Sequence, residues 1–125
     1  MFFVGKIDKK IYSCVSDTII SDEVIITDNQ ISHIKGRHPN DYEQYSQYFA
    51  DIVGNPDYII ESNKMDTAVI LKEIIEEGRR VQMVMKLATK RSEEGYKNSI
   101  ITFMKINSNR WNRYLRTKKI LYKKE

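Results

Sequence analysis

The order of structural signals along the chain predicts an α+β fold. Two helix signals come early, between Thr27 and Val53. A meander of strand-like segments follows from Asp57 to Ile106, and its short turns imply antiparallel pairing. At 125 residues the chain forms one domain, 1–125, large enough for a core that needs neither disulfide nor metal.

Taken in order, residues 1–15 read as an N-terminal hairpin. FFVGKI and KIYSCV are strand-like, and Asp8-Lys9-Lys10 supplies the turn. Val24–Ile26 is a short apolar run suited to a further strand. Thr27 then has the character of an N-cap, and Gln30 completes a capping-box pattern. This helix should span Asp28–Arg37, with Ile31 and Ile34 inward and Pro39 ending it. Asn40 can cap a second helix, Asp41–Val53, whose Tyr45, Tyr48, Phe49 and Ile52 fall at helical spacing. Gly54-Asn55-Pro56 stops it. Asp57–Ser62 and Thr67–Leu71 read as strands, and Glu73–Gly78 as a turn or helical fragment. Arg79–Leu87 alternates, with Val81, Met83, Met85 and Leu87 on one face. After a polar loop, Ala88–Lys97, comes a strand at Ser99–Ile106. Simple alternation there puts Ile100, Thr102 and Met104 on one face and Ser99, Ile101 and Phe103 on the other. Arg110–Thr117 should be helical, with Trp111, Tyr114 and Leu115 inward, and Lys119–Tyr122 a short last strand.

Composition narrows the class. Hydrophobic residues make up 41% and charged residues 30%, a soluble globular balance. No apolar run approaches the roughly 20 residues of a membrane span, and the charged N-terminus lacks the apolar region of a secretory signal. One cysteine, Cys14, allows no internal disulfide and no CxxC zinc motif. Its place in a strand-like segment reads as inert packing. A reducing, cytoplasmic location follows as the expectation. Net charge is +4 but uneven. Residues 1–62 hold 5 Lys+Arg against 10 Asp+Glu, and residues 63–125 hold 16 against 7, so the halves carry −5 and +9. Such asymmetry points to a polyanion, nucleic acid first, although a lysine-rich solvated surface would look the same.

Few residues can do chemistry. Both histidines lie in Asp28–His38. His33 and Arg37, at i and i+4, share a helix face, and His38 closes the helix beside Pro39. An imidazole moves protons near neutral pH and a guanidinium clamps a phosphate. The alternative is a solvated or carbonyl-satisfied histidine beside a surface ion pair. His33 and His38 are five apart, which does not align two metal ligands on one helix face, and Asp28 and Asp41 have uses as helix-start residues, so no metal is expected. No GxSxG elbow supports a serine nucleophile. No GxGxxG or P-loop supports a nucleotide cofactor, so no cofactor is expected. Thr102 and Ser99 are hydroxyls on one strand that could face a phosphate or be ordinary strand residues. Tyr122 sits in a basic run, Lys119–Lys124, with the composition of an RNA-contacting edge or of a soluble C-terminal strand.

Taken together, Ile26-Thr27-Asp28, His33-Ile34, Arg37-His38-Pro39, Asn55–Ile60, Asn98–Phe103 and Ile120-Leu121-Tyr122 resemble the phage-associated branch of the barnase–EndoU–colicin–RelE-like nucleases, over residues 20–123. The resemblance implies N-terminal helices packed on a twisted antiparallel sheet of about four strands. It implies a small metal-independent endoribonuclease, toxin-like or phage-encoded. The groove would lie on the sheet, with His33, Arg37 and His38 from the helix, Thr102 as strand hydroxyl and Tyr122 as late aromatic. Ser99 is the second choice of hydroxyl; Lys86, Lys90 and Lys119 are the candidate basic partners, with Arg116 among the substrate-binding cations. The expected reaction is transesterification of RNA, tRNA included, to a 2′,3′-cyclic phosphate. His33 would be the base and His38 or Tyr122 the acid. A toxin would need a cognate inhibitor, expected to be acidic. The alternatives are a non-catalytic nucleic-acid-binding module of the same fold, and a protein-interaction domain using the tyrosine-rich helix with Tyr42, Tyr45 and Tyr48.

Overall fold

A computed structural model describes residues 1–125. The elements are β1 (Phe2–Lys6), α1 (Lys9–Tyr12), β2 (Glu23–Ile26), α2 (Asp28–Arg37), α3 (Asp41–Tyr45), α4 (Phe49–Gly54), β3 (Tyr58–Ile60), β4 (Thr67–Ile74), β5 (Arg79–Lys86), β6 (Asn98–Ile106), α5 (Ser108–Thr117) and β7 (Ile120–Lys123). The class is α+β, as the element order predicts. The sheet has seven strands, not about four, in the order β1-β2-β6-β5-β4-β3-β7. It is mixed: β2 runs parallel to β6, at Val24–Asn98 and Ile25–Ser99, and the other pairs are antiparallel. The helices are not gathered at the N-terminus, because α1–α4 lie between strands and α5 follows β6.

The expected hairpin at residues 1–15 does not form. Asp8 accepts a hydrogen bond from the Lys10 N–H at 2.9 Å, which caps a helical turn in place of a strand reversal. β1 pairs instead with β2. Cys14 accordingly lies in an exposed turn after α1, not in a strand. Gly5 in β1 allows α4 to approach closely, since a Cβ there would stand 3.3 Å from the Ala50 Cβ.

α2 has the expected bounds. The Thr27 hydroxyl accepts the Gln30 N–H at 3.2 Å while the Gln30 side chain takes the Thr27 N–H at 3.3 Å. The single helix expected over Asp41–Val53 is broken into α3, one 3₁₀ turn at Ser46–Tyr48, and α4. Tyr45 and Tyr48 sit near φ −112°, ψ −7° and φ −98°, ψ −4°, which interrupts the regular ladder. The break lets Tyr45 and Phe49 both pack on Phe103, with ring centroids 5.8 and 4.7 Å away. Asn40 does not cap by its side chain; it takes a left-handed conformation, φ 71°, which Asn tolerates. The tyrosines of this segment belong to the core or its margin rather than to a free surface: Tyr45 is buried, and Tyr42 and Tyr48 pack against the core.

One sheet face holds the main core. Ile59, Ala68, Ile70, Met83, Met85, Ile100 and Phe103 meet Tyr12, Ile34, Phe49, Ile52 and Val53 from the helices. Burial of these side chains is the main stabilising term, at roughly 25 cal/mol per Å² of apolar surface.

Candidate active site

The second sheet face is only partly covered. α5 crosses it and packs Trp111, Tyr114 and Leu115 on Ile60, Leu71 and Ile106. Arg110 reaches Met104 of β6, with Nη1 3.8 Å from the sulfur. Beyond α5, this face presents Val84 and Lys86 of β5 opposite Thr102 and Ser99 of β6.

A β-bulge determines who faces this way. Val84 pairs with Thr102, but the next residue, Met85, pairs with Ile100, so Ile101 is the extra residue on β6. Simple alternation fails there. Ile100 and Phe103 both enter the core, and Ser99, Thr102 and Met104 share the opposite face. The expected grouping of Ile100 with Thr102 is thereby corrected. The bulge places two hydroxyls, three residues apart, on one surface with Lys86.

β2 pairs with β6 only at Asn98 and Ser99, and α2 lies along the remaining edge of β6. Gln30 Oε1 takes a hydrogen bond from the Ser99 hydroxyl at 3.1 Å. This contact fixes which side of α2 meets the strand. At 3.6 residues per turn, Gln30, His33 and Arg37 lie within about 60° of the helix circumference. The side chains of His33 and Arg37 are exposed and make no hydrogen bond or ion pair within the chain. His38 is half-buried at the helix end, with its N–H on the Ile34 carbonyl at 2.8 Å.

Other sequence candidates lie elsewhere. Tyr122 pairs with Ile59 on β7, four strands from β6, and packs on the main core, so it faces away from Thr102. Lys119, just before β7, gives its N–H to Glu61 at 2.9 Å. Arg116 is exposed on α5. Lys90 is exposed in the Ala88–Lys97 loop, its N–H on the Thr18 carbonyl at 3.1 Å. The structure places Ser99, Thr102 and Lys86 on one face of β5 and β6 and joins α2, which carries His33 and Arg37, to Ser99 through Gln30; Tyr122, Lys119, Arg116 and Lys90 lie on other elements.

The Ala88–Lys97 loop forms the remaining wall. It is tied down by the Ala88 N–H on Asn98 Oδ1 at 2.8 Å and by Asp66. The Asp66 carboxylate accepts Thr89 Oγ1 at 2.9 Å, Arg91 Nε at 3.1 Å and Arg91 Nη2 at 2.6 Å. The Arg91 guanidinium, with help from Thr89, holds the Asp66 carboxyl below its usual range. A cleft of about 490 Å³ opens between this loop and the start of α2. Ile25, Gln30, Lys86, Tyr96, Ser99 and Ile101 are among its lining residues. Sequence reasoning missed Tyr96, hidden in a polar loop, and read Gln30 only as a cap. Cations outnumber acids here: Lys86 gives one hydrogen bond to the Met65 carbonyl, and Lys97 pairs with Glu23. No group of three or more His, Cys, Asp or Glu side chains is arranged to hold a metal ion. No helix is long and apolar enough to cross a membrane. Chemically, one sheet face offers two hydroxyls and an ammonium, and the adjoining helix α2 carries an exposed imidazole and an exposed guanidinium.

Among known families, one described as phage-Barnase-EndoU-ColicinE5/D-RelE like nuclease2 matches residues 3–123. No curated protein and no solved structure gives a significant match.

Proposed function

The chain belongs to the phage-Barnase-EndoU-ColicinE5/D-RelE-like nuclease family, and on that premise we propose that it is a metal-independent endoribonuclease. The observation that supports this reading is the Gln30–Ser99 contact, which joins α2, the helix bearing His33 and Arg37, to the strand bearing Ser99 and Thr102. The 2′-hydroxyl of RNA is a nucleophile already held next to the phosphate, so the reaction needs no activated water. In this reading His33 takes the 2′-OH proton, and the 2′-oxygen attacks phosphorus. The bond to the 5′-oxygen breaks, and His38 protonates that oxygen. The products are a 2′,3′-cyclic phosphate and a 5′-hydroxyl. Arg37 and Lys86 stabilise the charged phosphorane, and Ser99 and Thr102 offer hydroxyl donors. Tyr122 has no part in this scheme, because it lies on the other face of the sheet. RNA, tRNA included, is the proposed substrate. A toxin-like role with an acidic inhibitor over the cationic groove fits the same reading.

The test is incubation with labelled RNA in EDTA, with His33→Ala alongside. General acid–base catalysis contributes roughly 10²–10⁴-fold, so the variant should lose at least about a hundredfold in rate while keeping its fold. Wild-type rates in the variant would remove His33 from the site. Salt-sensitive RNA binding without products, in both proteins, would favour a binding module over an enzyme.

A further inference from the structure

We propose that the outer side of α5 is a second RNA-binding surface, which holds the phosphate backbone of the strand beyond the cut. The inference rests on the ribonuclease reading above and adds a site outside the catalytic group. From Asn109 to Lys124 the chain has seven Lys and Arg residues and no acid. None of the seven takes part in an ion pair. Elsewhere in the chain cations do find acids, as Arg91 finds Asp66 and Lys97 finds Glu23. A merely solvated helix sets acids three or four residues from its bases, because like charges at that spacing cost stability. α5 instead carries Arg110, Arg113 and Arg116 in a row, three apart. A polyanion is the occupant that this charge pattern fits, and the backbone of the RNA substrate is a polyanion.

The placement of α5 connects this row to the site. Trp111, Tyr114 and Leu115 pack on the sheet, so Arg113 and Arg116 point within about 40° of straight outward at 3.6 residues per turn. Both are exposed. Arg110 stands on the flank of the helix and reaches Met104, with Nη1 3.8 Å from the sulfur. Met104 shares its sheet face with Thr102, about 7 Å along β6. A strand leaving Thr102 therefore meets Arg110 at the flank of α5, then Arg113 and Arg116 on its outer side. Successive arginines rise about 4.5 Å along the helix, so the row spans roughly 9 Å. The Tyr114 ring lies under two of them, its centroid 5.9 Å from the Arg110 guanidinium and 5.8 Å from that of Arg113. An aromatic ring orients a guanidinium without neutralising it. A guanidinium held in this way can give two parallel hydrogen bonds to a phosphate.

The experiment uses the intact chain and two oligonucleotides, each 2′-O-methylated except at one central ribonucleotide. One has about 20 nucleotides and extends over α5; the other has about four and does not. At about 0.1 M salt the long strand should be cut with a kcat/KM roughly tenfold higher, the gain expected from two further phosphate contacts. Arg113→Gln/Arg116→Gln should erase that advantage, through KM. The same variant should lower the salt slope of binding to a fully 2′-O-methylated long strand by about 1.4 units. Arg113→Lys/Arg116→Lys keeps both charges and should retain the slope. Lys9→Gln/Lys10→Gln removes the same charge from α1, which packs on the opposite face of the sheet, and should leave the slope nearly unchanged. Equal cutting of the two strands, or a length advantage that survives in Arg113→Gln/Arg116→Gln, overturns the inference alone and leaves the ribonuclease reading standing. An equal loss of slope in the α1 variant, or in the Arg-to-Lys variant, also overturns it. Binding of the long strand that weakens as expected in Arg113→Gln/Arg116→Gln, with no cleavage by any form, supports the inference and overturns the ribonuclease reading.

Discussion

Asp66→Asn should destabilise the protein at neutral pH, and the loss should fade on acidification. Asp66 has a positive φ of 56°, which Asn also tolerates, so the backbone is not strained by the change. The substitution keeps the size of the side chain and its acceptor for Thr89. It removes the charge that draws in both Arg91 nitrogens, at 3.1 and 2.6 Å. The Asp66 side chain is 4% exposed and that of Arg91 54%, so one end of the pair is screened by water. Hydrogen bonds to charged groups contribute about 1.5–3 kcal/mol when well shielded, and this screening reduces the expected loss to about 1–2 kcal/mol. For a domain of this size that corresponds to roughly 3–8 °C in Tm. The folded-state pKa of Asp66 lies below its ordinary value. The stabilisation is therefore fully present above the unfolded-state pKa, about 3.9, and is lost as pH falls through the folded value. Thermal unfolding followed by circular dichroism from pH 7 downward should show the two curves converge in that acidic range. A gap that persists unchanged below it, or no gap at pH 7, would refute the clamp as described.

Three further outcomes are expected. Phe103→Ala empties a fully buried site against Tyr45 and Phe49 and should cost about 3–5 kcal/mol, read as a lower urea midpoint. Thr27→Ala removes the side-chain half of the α2 cap and should cost about 1 kcal/mol in the same assay, whereas an unchanged midpoint would show that the cap is dispensable. Lys86→Ala should reduce the salt dependence of RNA binding by about one unit of slope, uniformly across sequences. An unchanged slope would place the phosphate path elsewhere.

What could be read from the chain was what is local. Thr27, Gln30 and Pro39 mark both ends of α2, and the Val81, Met83 and Met85 alternation marks β5, because caps and side-chain periods act over a few residues. The pairings that complete the sheet are not local. β2 joins β6 in parallel across more than 70 positions, and β7 adds to β3 after α5. No residue near Val24 or Ile120 encodes its partner. The bulge at Ile101 arises from the register between β5 and β6, so a single-strand alternation rule assigned the faces of Ser99 and Thr102 wrongly with respect to each other. In the N-terminal segment, Asp8 and the lysines after it fit a turn or a helix cap equally well, and the cap forms. Within the candidate site, His33, Arg37, Thr102, Ser99 and Lys86 were visible as residue types able to meet a phosphate. The contact that joins α2 to β6, Gln30 to Ser99, spans 69 positions and shows only in the fold.

A groove beside α2 that cuts RNA through its own 2′-hydroxyl can break the chain only at a ribose. The most direct measurement is digestion, in EDTA, of a DNA oligonucleotide carrying one ribonucleotide, followed by mass analysis of the ends. A single cut at the ribose is expected, leaving a 2′,3′-cyclic phosphate and a 5′-hydroxyl, and none when that sugar is 2′-O-methylated. Cutting at deoxyribose positions, or ends without a cyclic phosphate intermediate, would contradict it.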